Sequence, residues 1–176
     1  FVVPGPALRE VERLCADSDD SVSVSLGNRH ITFEIEGVML ISRLLEGEFI
    51  NYENVIPRNI KNTVVAQRND LLEAVERVSL IINEKIKNPV RCVFGKNRLE
   101  LSCATALGKA NDVIDINNDG EELEIGFNNR YLLEALREVP DESVVFHLVD
   151  ALSPCVIRPE EGDAYLYMIL PVRMRN

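Results

Sequence analysis

The chain has only two histidines, His30 and His147, and four cysteines, Cys15, Cys92, Cys103 and Cys155, none in a C-x-x-C pair. A zinc site would have to gather ligands from isolated positions, so no metal is expected. Each cysteine lies among apolar residues, as a small core filler does, and the set reads as free thiols of a reducing cytoplasm. No apolar run approaches the roughly 20 residues a membrane helix needs, and the opening FVVP is too short and unflanked for a signal peptide. No membrane partner is expected. Positive charge is scarce as well: 19 Lys and Arg against 29 Asp and Glu leave a formal charge of -10. That argues against coating nucleic acid with the whole surface, but leaves room for a local basic face.

Motifs that carry chemistry are missing too. The glycines form neither a G-x-G-x-x-G nor a P-loop pattern, and no serine or cysteine sits in a G-x-S-x-G or comparable context. The acidic runs Asp17 to Asp20, Asn117 to Glu122 and Pro159 to Asp163 fall in predicted turns and lack the alternation of an EF-hand loop. They read as solvated turns. The enzyme alternative, a carboxylate-dependent hydrolase, has nothing to orient its acids. No catalytic residue and no cofactor is expected, and the chain reads as a non-enzyme.

What is present is a repeat. A strand-helix pair followed by a run of strands occurs three times, with helices spelled PALREVERLCA, NDLLEAVERVSLIIN and NRYLLEALREV, at a spacing of roughly 60 residues. In the first helix Leu8, Val11, Leu14 and Cys15 share a face. In the second, Leu71, Leu72, Val75, Val78 and Ile82 do so, with Asn69 or Asp70 placed to cap and Glu73 to answer from the first turn. In the third, Tyr131, Leu132, Leu133 and Leu136 lead to Pro140, which stops the helix. The segments between alternate apolar and polar residues, as half-buried antiparallel strands should. The pattern predicts an α+β fold of β-α-β-β-β units with helices on one face of an antiparallel sheet. Two units complete a domain, so an odd number of units, and a start on Phe1, predict a piece of a longer protein.

Three segments resist a purely structural reading. The connector LLEGEFINYENVIPRN carries Phe49, Ile50, Tyr52, Val55 and Ile56, too apolar for a free linker. Leu80 and Ile81 fall off the core face of the second helix, so at least one should be exposed, either as an interface or under a cover from its own domain. The tail AYLYMILPVRMRN is either the last core strand or something more.

LLEGEFINYENVIP, EIGFNNRYLLEAL and AYLYMILPVR, in this order and spacing, resemble the C-terminal part of the bacterial sliding clamp family, the beta subunit of DNA polymerase III. The likeness runs over the whole chain. It implies three domains of two units each, two protomers closed head to tail around duplex DNA, and a processivity function. Residues 1 to 57 then correspond to the second half of the middle domain plus connector, and 58 to 176 to a complete C-terminal domain. A clamp-fold interaction module without ring function is the alternative.

The resemblance also implies roles. A surface pocket for short apolar peptides of the polymerase, the clamp loader and repair proteins maps to Ile50, Asn54 and Val55, to Asn128 and Tyr131, to Leu152, Ser153 and Pro154, and to Met168, Ile169, Leu170 and Pro171. The family often has proline where this chain has Ile50 and a basic residue where it has Asn54, which implies a different peptide preference at that edge. Leu80 and Ile81 match the contact between protomers of the homodimer. The DNA-facing candidates are Arg9, Arg13, Arg68, Arg77, Arg130 and Arg137, some of which are placed to pair along the helix, Arg9 with Glu12, Arg13 with Glu10 and Arg137 with Glu134. Gly5 and Pro6 stand where the family frequently has a basic residue. The other pocket wall and the partner of Leu80 lie in parts of the family protein outside this chain, so weakened peptide binding and no native ring are expected of it alone.

Overall fold

The structure, a computed structural model, describes residues 1–16, 20–83 and 88–174. It divides into two compact units, Phe1–Asn51 and Tyr52–Asn176, splitting a few residues ahead of the expected boundary after residue 57. The connector residues just past the split fold locally: Tyr52–Asn54 form a short 3-10 helix, and the Tyr52 carbonyl accepts the Val55 and Ile56 N–H groups.

In the first unit, α1 (Gly5–Cys15) precedes an antiparallel sheet of β1 (Ser23–Leu26), β2 (His30–Ile35) and β3 (Val38–Arg43), with β2 central. The Pro4 carbonyl accepts the Ala7 and Leu8 N–H groups, and Pro6 sits in the first turn, where its missing N–H costs nothing. The hairpin from β2 to β3 turns on Glu36 and Gly37, both at positive φ, the two-residue geometry whose twist matches antiparallel strands. Ile31, Phe33 and Ile35 are buried. The helix departs from expectation: Leu8 is exposed, and no residue of α1 is buried, because this one row of strand side chains is all the cover the unit supplies. Phe49 and Ile50 are exposed too. Of the acidic run at 17 to 20, Asp17 to Asp19 lie outside the described residues and Asp20 is exposed.

The second unit holds two repeats: β4 (Asn62–Gln67), α2 (Arg68–Ser79), β5 (Val90–Phe94), β6 (Arg98–Thr105) and β7 (Gly108–Asn118), then β8 (Leu123–Phe127), α3 (Asn129–Glu138), β9 (Ser143–Leu148), β10 (Cys155–Arg158) and β11 (Tyr167–Ile169). All pairings are antiparallel, in the order β11-β10-β9-β4-β7-β6-β5-β8. Each repeat lends its first strand to the other: β4 pairs with β9, and β8 with β5. The last strands bridge correspondingly. β7 pairs with β6 and then, from Ile116, with β4. The chain beyond β11 does the same, where the Val172 N–H donates to the Gly126 carbonyl of β8 at 2.7 Å.

Alternation on these strands points Val64 and Ala66, Cys92 and Phe94, Leu99 and Leu101, Ile125 and Phe127, and Phe146 and Leu148 at the core. From α2 come Leu71, Ala74, Val75 and Val78, and from α3 Leu132, Ala135 and Leu136. Leu72 and Ile82 pack on it only in part. Burying each large side chain contributes on the order of 2 kcal/mol. Cys92 and Cys155 are buried in this core, and desolvation pushes both thiols up, Cys92 to about 12. The start of α2 also differs from expectation. It begins at Arg68 with no side-chain cap, and Asn69 and Asp70 lie inside the helix, because the Glu142 carbonyl takes the Arg68 N–H at 2.7 Å.

One predicted solvated turn is partly core. Asn118 is 2% exposed and Asn62 is buried beside it, its Nδ2 donating to Asn118 Oδ1 at 3.0 Å and to the Glu121 carbonyl. Asn118 in turn donates to the Phe94 carbonyl at 3.3 Å and accepts from the Gly120 N–H at 3.0 Å. Asp119 accepts the Thr63 N–H and returns its own to the Thr63 carbonyl. Glu121 and Glu122 are exposed, as are most residues of the turn at 159 to 163.

Two outcomes follow from this packing. Asn118→Leu strands several buried donors and acceptors at once and should lower stability by about 2 to 3 kcal/mol, read by urea unfolding. His147, on β9, is partly desolvated and repelled by Arg158, with Asp119 opposing, and its pKa is lowered. The unfolded chain then takes up a proton that the folded one resists, so this stabilisation is present above about pH 6.5 and lost as pH falls from there through the lower folded pKa. Stability should decline on acidification from pH 7.5 to 5.5, and His147→Gln should flatten that slope.

Candidate functional site

Three exposed apolar residues of the second unit, Tyr131, Leu152 and Leu170, stand on α3, on the loop after β9 and on the tail after β11. Asn128 starts α3 by accepting the Arg130 N–H on its side-chain oxygen at 3.0 Å. This fixes Tyr131 on the first turn, 57% exposed. The residues three, four and seven positions on, Glu134, Ala135 and Glu138, continue its face. Opposite them run Leu166, Tyr167, Met168 and Ile169, and the two rows line an open, shallow groove of about 410 Å³.

Two tyrosines hold the rows together. Tyr167 Oη donates to the Glu138 carbonyl at 3.1 Å, satisfying one of the acceptors that a helix C-terminus leaves free. Tyr165 Oη donates to the Asp141 carboxylate at 2.8 Å, and burial with this neighbouring charge drives the phenol pKa up. The rings of Tyr165 and Tyr167 lie 5.3 Å apart.

A second concavity of about 480 Å³ opens beside Leu152, with Ala151, Gly126, Glu124, Val172, Arg173 and Met174 around it. Leu152 is 64% exposed, and its loop is built on Asp150, whose Oδ1 accepts the N–H of Leu152 at 2.8 Å and of Ser153 at 2.7 Å. These bonds hold the Asp150 carboxyl below the usual range. The tail lies against β8 because residue 126 is glycine: a Cβ there would stand 2.8 Å from the Val172 carbonyl oxygen. Leu170, 62% exposed, is carried on the chain between the two concavities.

Of the predicted pocket residues, the structure brings Tyr131, Met168 and Ile169 to the first groove and Leu152 to the second. Ser153, Pro154 and Pro171 are half-buried supports. Asn128 lines a separate furrow between α2 and α3 with Tyr131, Ser79 and Ile82. Asn54 and Val55 are exposed but line neither groove, and Ile50 belongs to the first unit. Sequence reasoning missed Leu166, Tyr167, Glu138, Val172 and Asp150. Helical spacing from Tyr131 would have found Glu138.

Leu80 is 84% exposed and Ile81 half-buried. Both lie just past α2, which ends at Ser79, so they project from its exit turn rather than from the helix. The arginines are mostly engaged. Arg13 pairs with Glu10 as expected, at 2.6 Å. Arg77 pairs with Asp112 at 2.6 Å and Glu73 at 3.2 Å. Arg137 departs from expectation: it pairs with Glu76 of α2 at 2.8 Å, because Arg130 holds Glu134 at 2.7 Å. Arg68 is half-buried with Nη1 on the Leu136 carbonyl at 3.4 Å, and among the described residues no ion pair joins Arg9 to Glu12.

The profile described as DNA polymerase III beta subunit, C-terminal domain, matches residues 53–173, and that of the central domain of the same subunit matches residues 1–51. The beta sliding clamp of Haemophilus influenzae is 30% identical over 174 residues, and that of Staphylococcus epidermidis 27%, each over 98% of this chain. These alignments cover 47% and 46% of the two relatives, so the chain spans about half their length. Among solved structures, a sliding clamp from Bartonella birtlesii, bound to griselimycin, superposes with a TM-score of 0.89 at 33% identity, covering 98% of this chain and 46% of that one.

With Asp150→Ala, the Leu152 and Ser153 N–H groups lose their acceptor. Amide exchange at these two positions should quicken by about tenfold while core amides keep their protection, measured by hydrogen exchange.

Proposed function

The chain belongs to the DNA polymerase III beta subunit family, and from that premise we propose that it forms part of a DNA sliding clamp, a non-catalytic processivity factor. In this reading residues 1–51 make up the second half of a central domain, and the unit from Tyr52 is the C-terminal domain. The full protein closes as a homodimeric ring on duplex DNA in the cytoplasm and tethers polymerase and repair proteins by their peptide motifs.

The observation that carries this reading is the pair of apolar concavities at Tyr131 and Leu152, linked by the exposed Leu170. A short peptide with alternating apolar residues fits such a surface, anchoring in pockets while its backbone spans the ridge. Ile50 and Asn54, which stand where the family frequently has proline and a basic residue, alter the peptide preference. Leu80, held out on the α2 exit turn, serves the contact between protomers.

Arg9, Arg13, Arg68, Arg77, Arg130 and Arg137 face DNA. Four of the six share their charge with carboxylates of their own helix, of a neighbouring helix or of β7. Exposed pairs of this kind are worth at most about 1 kcal/mol, so a passing phosphate displaces them at little cost. Weak, exchangeable contact of this sort suits a ring that must slide.

A peptide with the C-terminal segment of the replicative polymerase should shift the backbone NMR signals of Tyr131, Leu152 and Leu170, and Tyr131→Ala should weaken its binding by about tenfold or more. Shifts confined to other surfaces would remove the site assignment.

A further inference from the structure

The groove beside Tyr131 has one apolar side and one acidic side. Met168 and Ile169 offer apolar surface from the tail, while Glu134 and Glu138 stand one turn apart on α3, and no lysine or arginine is among the lining residues. Glu134 is offset by Arg130 at 2.7 Å. Glu138 is not: its side chain is exposed, and among the described residues none of the ion pairs includes it.

Its position sharpens the imbalance. Glu138 is the last residue of α3, at the negative end of the helix dipole, where a carboxylate is disfavoured and a cation is favoured. The cation that a helix usually supplies there is Arg137, and it is turned away to Glu76 of α2 at 2.8 Å. Asp141 and Glu142, both exposed, follow within four residues of Glu138 and add charge of the same sign. The rim therefore carries a local negative potential beside an apolar floor.

We propose that this groove selects a peptide that seats an apolar side chain against Tyr131 and Met168 and sets a lysine or arginine beside Glu138. The proposal rests on the peptide-groove reading above and specifies the charge of the partner. Glu138 acts as a specificity residue: a cation at the flank answers both its carboxylate and the negative end of the α3 dipole, and an acidic flank is repelled by both.

The test uses two labelled peptides that share one apolar anchor and differ only in lysine or glutamate at the positions flanking it, titrated by fluorescence anisotropy at low salt. The lysine peptide should bind about three- to fivefold more tightly, the scale of an exposed charge pair. Glu138→Lys should abolish or invert that preference, and Glu138→Gln should reduce it, whereas Glu160→Lys, an equal change of net charge at an exposed site outside the groove, should leave it in place. Equal affinities for the two peptides, or a preference that survives Glu138→Lys, would overturn the charge selection while leaving the groove a peptide site. Failure of both peptides to bind a chain that still melts cooperatively would instead overturn the peptide-groove reading, and this proposal with it.

Discussion

Each repeat of the second unit lends its first strand to the other, and nearly everything else depends on that exchange. β4 is held between β9 of the following repeat and the end of β7, while β8 is held between β5 and the chain at Val172. Neither repeat has a complete sheet of its own, so neither can cover its helix alone. Once the strands are exchanged, α2 and α3 pack together over a single core, and the Phe94 and Phe146 rings, one from each repeat, meet at 5.9 Å. The close approach at Gly126 belongs to the same device, because any side chain there would push the tail from β8. The tail is thus pinned as a structural strand for a few residues and free to present side chains just before them.

Charge follows the same logic of shared elements. In a chain of net charge -10, the cationic residues of the helices are not left as a basic stripe. Arg77 ties α2 to β7 through Asp112, and Arg137 ties α3 to α2 through Glu76. Asp112 is held below the usual carboxylate range chiefly by its hydrogen bond from Arg77, and the Arg77 pKa rises in return. These are exposed pairs, so their contribution to stability is small. Their effect is on where charge remains uncompensated: committing Arg137 to the neighbouring helix leaves the end of its own helix negative.

The helices and most strands were legible in the sequence because periodicities of 3.6 and 2 survive in any context. What was not legible arose from partners far away in the chain. Asn118 sits in an Asn-Asp-Gly turn that looks solvated, and it is buried only because Asn62, 56 positions earlier, reaches it across the exchanged strand. The start of α2 was misplaced because its first N–H is satisfied by Glu142 rather than by a local cap. Glu134 lies three residues before Arg137 but four after Arg130, and only the fold decides which arginine takes it. At the site, the tail stood out in the sequence itself, and Tyr131 and Leu152 through the family resemblance. Tyr167 and Glu138 did not, because one looked like core and the other like ordinary helix surface.

Those two residues show why fold and site cannot be separated here. Tyr167 uses its hydroxyl to finish α3 and its ring to wall the groove, so the same side chain sets where the helix ends and how wide the opening is. Tyr165 and Asp141 brace it from behind, and Asp150 fixes the loop of Leu152 with two backbone bonds. A surface assembled from chain ends and loops would ordinarily have to be ordered by its ligand, at the cost of part of the binding energy. In this unit the ordering is done by hydrogen bonds that the folded chain makes anyway. Under the proposed reading, an apolar peptide meets a shape already in place, and discrimination is left to the few groups the fold has not neutralised, of which Glu138 is the clearest.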